Sequence, residues 1–196
     1  MEAVMLLAAV PLMILNMLGG LVGGIGLAFQ GHWSLLIGGI VWCVVGGFVL
    51  SIALLPGIIF APLAVWASNR GNTVAAVVAC VPSLLWTYFV VTVTSIVVFY
   101  NVVARPDSGL FHLLWAYSVT TAPWSFLANK DTQSGNDAST MLMFFVQLGV
   151  VAMMFASWSD PEAMTVADLI PWFVPFMVLG LFAQVFVAVV EGRNAR

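Results

Sequence analysis

From residue 3 to residue 69 the chain carries no charged side chain. A chain that folds in water needs a charged surface, and the rest of the sequence supplies little. Five Lys/Arg and eight Asp/Glu make up 7% of the 196 residues, against about 25% in an ordinary soluble domain. All of these charges fall between apolar runs or at the chain ends. The runs cover residues 3–29, 33–66, 73–104, 110–128, 139–158 and 169–190. A helix needs about 20 apolar residues to cross the hydrocarbon core of a bilayer. The sequence therefore predicts an all-α polytopic membrane protein. Residues 1–196 would form a single transmembrane helical domain with no soluble domain, its apolar surface solvated by the lipid bilayer.

Two runs are too long for one straight crossing. Residues 33–66 in a single helix would extend roughly 51 Å, against a hydrocarbon core of about 30 Å. Pro56-Gly57 and Pro62 lie inside this run. Proline removes a helix hydrogen bond and crowds the preceding turn, so the span is expected to end or kink near Leu55. Residues 57–66 would then lie at the interface or form a short second helix. Pro82 is expected to bend the third run or mark its entry. The expected spans are about 3–29, 33–55, 76–102, 110–128, 139–158 and 169–190. The fourth is the least apolar, with His112, Tyr117, Ser118, Thr120, Thr121, Pro123 and Ser125. It crosses only if its polar face is buried in protein or water. The prediction is a bundle of about six transmembrane helices, with five as the alternative.

Cytoplasmic loops carry the excess of Lys and Arg. With six crossings, Arg70, Lys130, Arg193 and Arg196 share a side with both termini, opposite Arg105. With five, the N-terminus moves outside, yet the C-terminus is cytoplasmic in both arrangements. Glu2, with no Lys or Arg before the first run, favours a retained span over a cleaved signal. A multi-pass protein of a bacterial inner membrane is the expectation. In the acidic connection before the last run, Thr165 reads as a helix N-cap with Asp168 three residues later.

Small residues recur at helical spacing. Asn16, Gly20, Gly24 and Ala28 repeat every four residues, with Gly19 and Gly23 beside them; Gly39, Cys43, Gly47 and Ser51 do the same in the second run. Such stripes let membrane helices approach closely. They predict helix packing within a hairpin of the first two spans, or against another subunit. In the fourth run, Ser118, Thr121 and Ser125 share a face. With His112 they could line a polar pathway, although hydroxyls in membrane helices usually bond to backbone or to a neighbouring helix. His32 and His112 fall at one leaflet in the six-span arrangement. As a pair they are weak candidates for haem or copper ligation, and two wet interfacial imidazoles is the simpler reading. Cys43 and Cys80 sit in apolar runs and read as small hydrophobes, not as a disulfide framework or a zinc site.

No ionisable residue occupies the middle of a span, which argues against ion-coupled pumping. No H-E-x-x-H, G-x-S-x-G or inward acidic pair is present, and no basic run suggests nucleic acid. The expected function is therefore a non-enzymatic membrane subunit without cofactor, acting through helix association with itself or with other membrane subunits. The alternative is a passive channel or permease for a small neutral solute. A haem- or copper-binding subunit comes third.

Overall fold

The computed structural model describes residues 2–132, 138–159 and 164–194. Within them lie seven helices and no strand. They are α1 (Glu2–Phe29), α2 (Trp33–Ile58), α3 (Ala61–Asn69), α4 (Thr73–Val103), α5 (Leu110–Thr132), α6 (Ala138–Ser159) and α7 (Val166–Asn194). Five of them, α1, α2, α4, α6 and α7, are long and apolar enough to cross a membrane on their own. Their outer faces carry large hydrophobic side chains in the open. Phe48, Phe182 and Phe186 are 70, 68 and 67% exposed, which water would penalise and lipid does not.

The turns between helices follow from particular residues. α1 stops at Gly31, whose φ of +85° favours glycine. The His32 N–H then bonds the Leu27 carbonyl at 2.9 Å, and the Gly31 N–H bonds Ala28 at 3.1 Å. This is the glycine-dependent Schellman closure, and it fixes His32 at the start of α2. Gly71, at φ +70°, closes α3 in the same way through Asn72 N–H to Ala67 O. The Asn72 side chain then accepts from the Ala75 N–H and caps α4. At α7, the Asp168 carboxylate accepts from both the main-chain N–H and the hydroxyl of Thr165, each at 2.7 Å. That is the capping arrangement read from the sequence.

α2 ends close to the position expected near Leu55, and the expected short second helix follows it as α3. α2 runs through Pro56 to Ile58 and then turns into the short α3. α4 passes through Pro82 without a break, from Thr73 to Val103. A lost backbone bond inside a bundle is tolerated where neighbouring helices re-satisfy the freed groups. The second and third long helices thus extend beyond residues 33–55 and 76–102. Residues 133–137 and 160–163, which include Asp137, Asp160 and Glu162 of the polar connections, lie outside the described residues.

The polar helix α5 is the centre of the molecule. It packs against α1, α2, α4 and α6, and Tyr117, Ala116 and Thr121 on it are fully buried. Its register shows how far it reaches. Phe111 lies against Gly26, Trp115 against Gly23 and Gly39, Ser118 against Gly20, Pro123 against Gly46, and Phe126 against Gly47. α5 therefore runs beside α1 and α2 along much of their length, although it is not itself among the five helices long and apolar enough to cross a membrane. Its polar side chains are accommodated because its neighbours, α1, α2, α4 and α6, surround it.

Candidate functional site

The small-residue stripes of α1 and α2 meet α5, whereas α1 and α2 touch each other little. A Cβ on Gly23 would lie 2.6 Å from the Trp115 nitrogen and 2.9 Å from the Phe111 carbonyl oxygen. A Cβ on Gly39 would lie 2.5 Å from the Trp115 ring, and one on Gly20 would lie 3.1 Å from Ser118 Oγ. Gly19 approaches the Leu114 carbonyl, Gly24 approaches Leu36 and Trp115, and Gly47 approaches Phe126. Trp115 fills the space left by these glycines, and its indole N–H donates to the Leu35 carbonyl at 3.2 Å.

Most hydroxyls of α5 bond to protein, whereas the buried Thr120 Oγ1 has no hydrogen-bond partner. Ser118 Oγ donates to the Asn16 carbonyl at 2.7 Å. Thr121 Oγ1 donates to Tyr117 O at 2.8 Å, and Ser125 Oγ to Thr121 O at 3.1 Å. The Asn16 amide donates across to Thr121 Oγ1, and the Tyr117 hydroxyl to the Leu12 carbonyl at 3.0 Å. Interhelical bonds of this kind are worth about 0.6 kcal/mol each on average. Ser118, Thr121 and Ser125 thus tie α5 to its own turns, to α1 and to α6, where Met143 Sδ lies 3.8 Å from Ser125 Oγ.

Two recesses open between the helices. The first is a groove of about 470 Å³ between α1 and α2, floored by α5. Gly20, Gly24 and Ala28 form one wall, Leu36, Ile40 and Cys43 the other, and Trp115 and Ser118 belong to the floor. The second is a cleft of about 540 Å³ toward the C-terminal ends of α2 and α5, where Ser51, Ser83, Thr87, Ser139 and Gln184 interrupt an apolar lining that includes Trp124. Ser51 Oγ also donates to Gly47 O at 2.7 Å. Ser51 therefore belongs to this cleft, while Cys43 belongs to the groove.

At the opposite end of α5 from the cleft, the histidines come together. His32 and His112 rings stand edge to face with centroids 4.9 Å apart. Asp107, in the connection between α4 and α5, joins them: its Oδ2 lies 2.6 Å from His32 Nε2. Asp107 is presented by a tight turn in which the Ser108 N–H bonds the Arg105 carbonyl at 3.0 Å, with Pro106 in the second position that such turns favour. Slight burial pushes the Asp107 carboxyl up. A hydrogen bond from its own main chain and the His32 imidazole outweigh this and hold it below its ordinary value. Proline-aspartate in a loop between two spans was the only trace of this residue's role in the sequence.

Compared with known proteins, the chain matches no family model, no curated protein and no solved structure.

Proposed function

We propose that this chain is a non-enzymatic subunit of a membrane assembly, receiving a transmembrane helix of a partner or of a second copy in the groove between α1 and α2. The observation that carries this reading is the groove itself. Gly20, Gly24 and Ala28 keep one wall low, and α1 and α2 stand apart above α5. In lipid, close backbone approach along small residues is the main source of helix association. With both termini on the Lys/Arg-rich side, the basic bias assigns them to the cytoplasm, and the His32 end of the bundle then faces outward.

The test is mass measurement of the full chain in mild detergent, beside Ala28→Phe, which fills the groove from a partly buried position on its wall. The proposal expects an oligomer or a co-purifying membrane subunit for the wild type, lost in the variant without loss of melting temperature. A wild-type monomer that recovers no partner overturns it.

A second reading is favoured by the cleft. Hydroxyl and amide groups set in an apolar wall suit a small neutral or weakly polar solute. Liposome flux that falls with Thr87→Leu, while the melting temperature holds, would move the proposal to a permease.

A further inference from the structure

The geometry points to a divalent transition-metal site, of the zinc class, formed by His32, Asp107 and His112 where the α1–α2 and α4–α5 turns meet. Each residue offers one ligand atom, and the three atoms lie within 4.8 Å of one another. Two imidazoles and a carboxylate suit borderline ions such as Zn²⁺, and three protein ligands leave a fourth position open. Tetrahedral ligands at about 2.0 Å from zinc sit roughly 3.3 Å apart. The 2.6 Å contact between His32 and Asp107 and the 4.8 Å limit bracket that spacing. Binding therefore requires the close pair to open slightly and the widest pair to close by about 1.5 Å, within reach of side-chain rotation in two turns.

An independent observation comes from His112. Its side chain is 0% exposed, yet neither Nδ1 nor Nε2 has a hydrogen-bond partner. A buried polar group without a partner costs about 1–3 kcal/mol, and buried polar groups normally find partners. An ion held by one ring nitrogen satisfies it. Each residue has a hydrogen-bonded support: the Schellman turn at Gly31 sets His32, the Pro106 turn sets Asp107, and the first turn of α5 sets His112. His32 and Asp107 are 29 and 54% exposed, so an ion can enter from the aqueous side while His112 closes the inner face. Arg105 is near enough to act electrostatically on His112. It opposes cation binding, and the Asp107 carboxylate offsets it.

The test uses the full chain in detergent, stripped with chelator and titrated with Co²⁺ by visible absorption and with Zn²⁺ by calorimetry. The expected result is one Co²⁺ per chain, displaced by Zn²⁺, with Zn²⁺ raising the melting temperature. Asp107→Asn and His32→Gln change exposed or half-exposed side chains. Each should weaken binding by at least about tenfold, since losing even an outer-shell partner costs 10–100-fold. No stoichiometric binding overturns the proposal. So does binding that survives both substitutions. A melting temperature that Asp107→Asn lowers equally with and without Zn²⁺ shows an ion pair alone and also overturns it.

Discussion

Replacing Gly23 with alanine adds one methyl group at the closest approach of α1 to α5. That methyl would sit 2.6 Å from the Trp115 nitrogen and 2.9 Å from the Phe111 carbonyl oxygen. Both are backbone atoms of a helix held on its other sides by α2, α4 and α6, so neither can swing aside. Restoring an ordinary contact of about 3.4 Å requires α1 and α5 to part by about 0.8 Å, and a gap of 0.5–1 Å forfeits a quarter to a half of the dispersion at each atom pair. The separation would also stretch the Ser118–Asn16 and Tyr117–Leu12 bonds. Overpacking of this kind costs about 1–3 kcal/mol, and the expected value lies in the upper half of that range. The assay is reversible unfolding in mixed micelles with increasing dodecyl sulfate, followed by tryptophan fluorescence. The control is Gly38→Ala, where a Cβ meets nothing within 4 Å; it should leave stability unchanged or raise it, because alanine favours helix. Equal effects of the two substitutions, or a neutral Gly23→Ala, would refute the packing argument.

Trp115→Phe removes the indole bond to Leu35 and part of the ring that fills the Gly39 site; a loss of about 1–3 kcal/mol is expected in the same unfolding assay. Thr121→Val keeps the shape but breaks the Asn16 bond, and about 0.6 kcal/mol is expected, below 1.7. Because the Asp107 carboxyl titrates below its ordinary value, it contributes stability that is present above the unfolded value of about 3.9 and disappears as pH falls through the lower folded one. Melting curves of wild type and Asp107→Asn should therefore differ at neutral pH and converge in acid. A gap that persists below the carboxylate range contradicts this.

The lipid-facing helices were legible from sequence because their signal is local: a long uncharged run reads the same whatever packs beside it. α5 was ambiguous because its solvent is the other helices. Nothing within residues 110–128 says that Ser118 and Tyr117 will find the carbonyls of Asn16 and Leu12, about a hundred residues earlier. The sequence did state the condition, a buried polar face, and burial of Thr120 and Thr121 meets it. The stripes at Gly20–Gly24 and Gly39–Gly47 were visible as small-residue repeats. Their partner was not, since spacing marks a close approach but not the helix that makes it. Pro56 was read correctly as lying near the end of its helix, since α2 stops at Ile58 and a short helix follows, whereas α4 continues through Pro82, as a helix inside a packed bundle can. The two histidines were paired by leaflet alone. Asp107 escaped because its role depends on a turn geometry that brings a separate loop over His32.

The packing of the whole bundle rests on α5, a polar helix enclosed by apolar ones. Hydrogen exchange of the full chain in lipid nanodiscs tests this directly. Amides of residues 113–128 should exchange among the slowest in the protein, well behind those of α3, which lies at the bundle's edge with Leu63, Val65 and Trp66 exposed. Exchange across 113–128 as fast as in α3 would mean that the central helix is wet, and the packing described above would not stand.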